Sequence, residues 1–390
     1  MPRPPRRLDA IEVMSFLLSI GVTVVFVWRW PPALQTIRHQ YPEFLLCLLI
    51  SYFPVLAVHE AGHLAAARLV GFRPYAVECG PWRLEWGTDR IHLSTLPRSH
   101  WLAGSAVSAP RNGRGLVWRA SLSTLGGSAA NILCAMLILI LLGSGAPDWV
   151  KTFLVSWCDL LLVVGLLNLL AIFPSRPGRI TDGKRLRLLW SHDGYALAAG
   201  WGITNLINTG TRVRDLPPDL VAAACTLIDH GATGWIGRIA AYYWALDRHD
   251  TQGADTALAF ALAHQPAPPS QLWVILQLEA AYFHARYRGA LPQASAYVSA
   301  AQPYLPDVPD AFTLRTLAGY YLAAGEIERA IDAAERALRI LDAFTGPQST
   351  DDDRDWLNQI LADARAALDQ DGGRSVGGVT LEPDKENPPW

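Results

Sequence analysis

At 390 residues the chain has room for two or three domains, and with a formal net charge of −2 nothing suggests nucleic acid as a partner. Its five cysteines (Cys47, Cys79, Cys134, Cys158 and Cys225) show neither CxxC spacing nor a pairing pattern, and three lie in apolar runs, which argues against both a disulfide framework and a cysteine metal site. The apolar residues are unevenly spread: roughly the first 205 positions hold nearly all the long apolar runs, and the rest is Ala-rich and charged.

Four segments reach the ~20 apolar residues needed to cross a bilayer. The first, Ile11–Trp28, follows Arg3, Arg6 and Arg7; it is long for a signal sequence, has no small-residue cleavage site after it, and reads as a retained helix. The second runs from Phe44 to about Val70. The third, Ala120–Gly143, carries no charge, and the fourth, Thr152–Pro174, carries only Asp159. With the N-terminus inside, fifteen basic residues fall on the cytoplasmic side and three (Arg29, Arg38, Lys151) outside, so both termini are expected in the cytoplasm of a multi-pass inner-membrane protein. Trp28, Trp30, Trp118 and Trp149 near the segment ends fit an interfacial belt.

Between the second and third segments, Val77–Ser94 alternates like a strand pair, with Trp82, Leu84 and Trp86 on one face and Arg83 and Glu85 on the other. Gly87-Thr88-Asp89 supplies the turn. This predicts a β-hairpin at the cytoplasmic surface, followed by a Gly/Pro/Arg-rich loop from Ser105 to Gly115. The fold class expected is therefore an all-α membrane protein, a four-helix transmembrane bundle with one small hairpin, joined to a soluble helical domain.

After a connecting region, 191–235, broken by Asp215-Leu216-Pro217-Pro218, helical hairpins are expected over 236–345. Ala257, Ala294 and Ala330 recur at intervals of 37 and 36 residues, each a small residue that permits close packing. Leu314, Leu317, Ala318, Tyr321, Gly325, Ile327, Ala330, Ala337 and Leu338 match the tetratricopeptide pattern, with Asp342 where its proline usually falls. The two earlier units fit that pattern poorly, and the plainer reading of the region is a generic Ala-rich helical bundle. A closing helix is expected over 346–370, its N-terminal dipole met by Asp351, Asp352 and Asp353, and the polar tail 371–390 reads as disordered.

The chemistry lies in His59-Glu60-Ala61-Gly62-His63, an HExxH motif in the second apolar segment. Residues i and i+4 share a helix face, so both imidazoles can bind one metal while Glu60 acts as general base on a bound water. Two neutral nitrogen donors suit zinc (Zn2+), which also needs a third protein ligand and an open position. A pair of histidines satisfied by hydroxyls or carbonyls is the plainer reading, but three ionisable side chains within five residues of a membrane helix are costly and mark function.

With that motif the chain resembles the site-2 protease family of intramembrane zinc metalloproteases, on His59, Glu60 and His63, then Gly127-Ser128-Ala129-Ala130-Asn131, then Asn168 and Asp182-Gly183. The resemblance covers about residues 40–190 and implies a protease domain over 1–190, with His59, His63 and Asp182 as zinc ligands, Glu60 as catalytic base and Asn168 on the substrate backbone. The chain departs from the pattern at Ala171, where the family has proline (the nearest is Pro174), and in a longer Asn-to-Asp interval through Ser175-Arg176-Pro177-Gly178-Arg179, which brings Asp182 back on a loop. Depth counts against Asp159 as the third ligand: it lies about 12 Å from the outer face and His59 about 24 Å, a gap that bonds of about 2 Å cannot close. Asp159 is left to a hydrogen bond within the bundle or to substrate and water access, and Gly127 and Asn131 to helix contact or to the site. Pro54 is read as tolerated within its helix.

The expected partner is a membrane-protein substrate cleaved near the cytoplasmic face. The hairpin offers an edge for β-addition, and the helical repeats offer a platform for a protein partner. The competing readings are a non-catalytic membrane scaffold that binds through its repeats and a zinc hydrolase acting on something other than protein.

Overall fold

The computed structural model describes residues 41–86, 91–97, 104–142, 147–169, 180–228, 231–268, 270–305, 310–343 and 350–374. The expected crossing Ile11–Trp28, the Gly87-Thr88-Asp89 turn, Ala171, the Pro174–Arg179 stretch and the tail from residue 375 lie outside them. The chain divides into two compact units, one of residues 1–211 and 216–240, the other of 212–215 and 241–390.

In the first unit, α1 (Tyr41–Leu69) runs unbroken through Pro54 and carries the HExxH motif. It stops at Gly71, whose φ of +80° suits a residue without Cβ. The N–H groups of Gly71 and Phe72 donate back to Arg68 O (3.1 Å) and Ala67 O (2.8 Å), the paired closure of a Schellman end. The chain then enters strands β1 (Arg73–Cys79), β2 (Trp82–Trp86), β3 (Ile91–Thr95) and β4 (Gly104–Ala109), an antiparallel sheet in the order β3-β2-β1-β4. The expected hairpin is thus the β2–β3 half of a larger sheet, and the loop expected from Ser105 is strand as far as Ala109. Gly-Ser-Ala-Val-Ser-Ala has little strand propensity of its own, and pairing with β1, from Arg73↔Ala109 to Cys79↔Gly104, decides its conformation. The charged face of the hairpin turns inward: Arg83 reaches the buried Glu78 (2.5 Å) and pairs with the buried Glu85.

Helices α2 (Leu116–Leu142) and α3 (Asp148–Leu169) pack on α1 and on each other. Gly62 and Gly126 meet at the α1–α2 crossing, where a Cβ on either would strike the carbonyl of the other. Lower down, Val55, Ala135, Ile138, Cys158 and Leu161 form an apolar core. Ser51, His59, Glu60, Ser121, Thr124, Ser128, Asn131 and Ser156 are buried, while Leu49, Leu133, Leu137 and Ile140 are exposed. Apolar side chains thus lie on the outer surface of these helices as well as in their core. Among the described residues two helices, at Leu116–Ile140 and Trp149–Leu169, are long and apolar enough to cross a membrane. The unit continues with α4 (Asp182–Leu189), α5 (Gly194–Asn208), α6 (Pro218–Ala224) and the first part of α7 (Gly231–Asp247). Leu189, Leu197, Ile203, Leu220 and Leu227 are buried there.

The second unit holds the rest of α7, then α8 (Thr251–Ala263), α9 (Gln271–Arg288), α10 (Leu291–Ala301), α11 (Ala311–Ala323), α12 (Ile327–Asp342) and α13 (Asp351–Arg374). Neighbours in sequence pack together: α9 with α10, α11 with α12, α12 with α13. Ala294 and Ala330 are fully buried, but in α8 Ala254 and Leu258 fill the core and Ala257 is half-buried. Inside this unit Arg315 pairs with the fully buried Glu279 and with Asp353 (2.5 Å), and Tyr243 Oη donates to Glu279 (2.8 Å).

Candidate metal centre

The HExxH stretch lies in the buried middle of α1 and faces α2. Its i, i+4 spacing brings His59 Nε2 and His63 Nε2 to 3.1 Å of each other. The third element is α4, capped by Thr181, whose side chain accepts from Lys184 N. Asp182 opens this helix, and its Oδ2 lies 3.1 Å from His59 Nε2 and 3.3 Å from His63 Nε2. These three residues form a group able to hold a metal ion. Asp159 is not part of it.

The donor geometry fits zinc. Ligand atoms about 2.05 Å from one ion at tetrahedral angles stand about 3.3 Å apart, and the three observed separations run from 3.1 to 3.3 Å. The triangle has the size of one face of such a tetrahedron. Asp182 Oδ2 is also buried without a hydrogen bond, the condition of a carboxylate oxygen whose partner is a cation.

Neighbouring groups aim the donors. His63 Nδ1 lies 2.9 Å from Ser123 O. A carbonyl only accepts, so that nitrogen carries the hydrogen and Nε2 presents its lone pair to Asp182. The Gly127 N lies 3.2 Å from the same nitrogen, farther than the Ser123 carbonyl. His59 Nδ1 faces the side-chain amide nitrogen of fully buried Asn131 at 3.3 Å, which leaves Asn131 Oδ1 without a partner among the described residues. Turning that amide over lets Oδ1 accept from His59 Nδ1–H, which satisfies both groups and puts the ring's lone pair on Nε2. Gly127 is glycine for space: a Cβ there would collide with His63 Nε2 and stand 2.8 Å from His59 Cε1. Gly165 of α3 lies against Asn131 from the other side. The glycine and the asparagine of Gly127–Asn131 therefore both touch the imidazoles.

Glu60 is buried beside the cluster, 5% exposed, with its carboxylate against the backbone of Gly104, the first residue of β4. Asn168, near the end of α3, brings its amide nitrogen to 2.7 Å from His59 Nε2. All five residues singled out from the sequence thus share one neighbourhood. Three contributors escaped the sequence reading. Ser123 acts through its backbone carbonyl and has no sequence signature. Gly104 matters only through the sheet. Arg185 lies one turn beyond Asp182, over the Trp201 ring at 5.2 Å, with Nε buried and unbonded and its charge acting on both Asp182 and Glu60. The i+3 spacing from Asp182 was the available signal. Compared with protein-family models, with characterised proteins and with solved structures, the chain matched none.

Proposed function

We propose that the protein is a membrane-embedded zinc endopeptidase of the site-2 protease type, with both termini in the cytoplasm, cleaving membrane-spanning substrates near the cytoplasmic face. The observation that carries this reading is the meeting of His59, His63 and Asp182 at tetrahedral-face spacing, beside a buried glutamate, in a bundle with an apolar exterior. A hydrolytic site explains why such a bundle keeps ionisable side chains in its interior.

In this reading His59, His63 and Asp182 hold zinc, which when bound lowers the pKa of a water towards about 7 and polarises the scissile carbonyl. Glu60 takes the proton from the attacking water and passes it to the leaving amine, which requires a carboxylate in a dry pocket next to the ligands. The Asn168 amide, beside His59 Nε2, orients a substrate carbonyl. A substrate helix must first unwind, because its carbonyls are engaged in its own hydrogen bonds. Edge strand β4 begins at the Glu60 carboxylate, and its Gly104–Val107 stretch offers backbone groups to the unwound segment, whereas Ser108 O already accepts from Asn205 Nδ2. This supports strand addition at β4 in preference to the outer hairpin strand.

Glu60→Ala in purified full-length protein is expected to keep its zinc and lose about 10²–10⁴-fold in hydrolysis of a reporter membrane substrate. Turnover at the unmodified rate would end the proposal.

A further inference from the structure

At the end of α1 away from the apolar core, the last helical turn, the Gly71–Pro74 turn, the end of β2 and the segment before α2 enclose a cleft of ≈ 730 Å³. Three guanidinium groups line it, those of Arg68, Arg73 and Arg111, all exposed. No carboxylate shares the lining, and among the described residues none of the three is ion-paired. The remaining wall is apolar and aromatic, from Leu64, Phe72 and Trp86. Three like charges around one concavity repel one another unless an anion enters.

The cleft is also a built one. Arg119 is committed to its frame: Nε donates to Val70 O (2.7 Å), Nη2 to Gly71 O (3.2 Å) and Nη1 to Asn112 Oδ1 (3.0 Å), with the guanidinium over the Phe72 ring. One side chain thereby ties the exit of α1 to the loop carrying Arg111. Leu69 and Trp118, 87% and 58% exposed, are the apolar residues where α1 ends and α2 begins. Cationic groups next to exposed apolar surface, beside the start of α2, a helix long and apolar enough to cross a membrane, match the boundary between headgroups and acyl chains.

We propose that this cleft binds the phosphate of an anionic phospholipid, with Arg68, Arg73 and Arg111 around the phosphodiester and the acyl chains on the adjoining helix surface. Planar guanidinium groups suit phosphate oxygens. A free phosphate ester shares the headgroup chemistry but not the use for the apolar rim. The inference rests on the membrane reading of the bundle and is independent of peptide hydrolysis.

The test is native mass spectrometry of detergent-purified full-length protein with phosphatidylglycerol or phosphatidylcholine, alongside calorimetric titration with inorganic phosphate. One phosphatidylglycerol per chain is expected, held at least tenfold tighter than phosphatidylcholine. The triple variant Arg68→Gln/Arg73→Gln/Arg111→Gln should lose about 100-fold, at roughly fivefold per arginine. The matching Arg→Lys triple, which keeps the charge and loses the planar fork, should fall between wild type and the glutamine triple, and both triples should keep the wild-type zinc content. If the glutamine triple aggregates, Arg73→Gln and the lysine triple carry the comparison. Equal affinity for the two lipids, wild-type affinity in the glutamine variants, or inorganic phosphate bound as tightly as the lipid would overturn the proposal. So would an acidic peptide that binds more tightly than phosphatidylglycerol.

Discussion

Replacing Asp182 with alanine probes the proposed ligand that comes from outside the HExxH helix. Structural zinc sites are worth about 10–16 kcal/mol at neutral pH. Such sites have four protein ligands, so one ligand accounts for on the order of 2.5–4 kcal/mol, or about 10²–10³-fold in Kd. Asp182→Ala is expected to weaken zinc by that factor. Asp182→Asn, which keeps shape and the Thr181–Lys184 cap, should fall between it and wild type. Competition against a chelator of known affinity, on full-length protein in detergent at one fixed pH, reads the change directly, because proton competition is then constant. Asp159→Ala is the internal control and should bind zinc normally. If Asp182→Ala held zinc within about threefold of wild type while His59→Ala lost it, the 3.1 and 3.3 Å contacts would be an ordinary hydrogen-bonded cluster and the third ligand would lie elsewhere.

Three other substitutions test the surrounding architecture. Gly127→Ala puts a methyl group against both imidazoles, so zinc affinity should fall at least about tenfold with helix content by circular dichroism unchanged; normal affinity would show that the contact relaxes cheaply. Asn131→Ala removes the amide that orients His59 and should cost about 10–100-fold in zinc affinity, with the Asn131→Asp variant closer to wild type. In the second unit, Arg315→Met strands Glu279 as an unpaired buried charge and should cost about 3–5 kcal/mol, seen as faster hydrogen exchange over Gln271–Arg288; the double variant Arg315→Met/Glu279→Leu should recover most of it. Unchanged exchange in Arg315→Met would mean that the pair is not what orders α9.

The sequence alone determined whatever depends on neighbours along one helix. The phase of His59 and His63 follows from a spacing of four, and the existence of α2 and α3 from long apolar runs, since helix geometry is local, although both helices begin four residues before those runs. The i, i+4 pair and the apolar setting were enough to point to a metal. The identity of the third ligand is different in kind. Nothing local ties Asp182 to a helix more than a hundred positions earlier, and only family resemblance suggested it before the packing of α1, α2 and α4 brought it within 3.3 Å. The same holds for the carbonyl of Ser123 and for Gly127, whose missing Cβ matters only because of what lies opposite. Strand β4 shows the limit most clearly. Its residues have weak intrinsic preference, so their conformation, and with it the edge beside Glu60, was set by pairing with β1. Ala257 gives the converse case, a periodic alanine that stands half-buried while Ala254 and Leu258 pack inside. A repeat in sequence constrains spacing along the chain, and which face of a helix turns inward is decided by the helices packed against it.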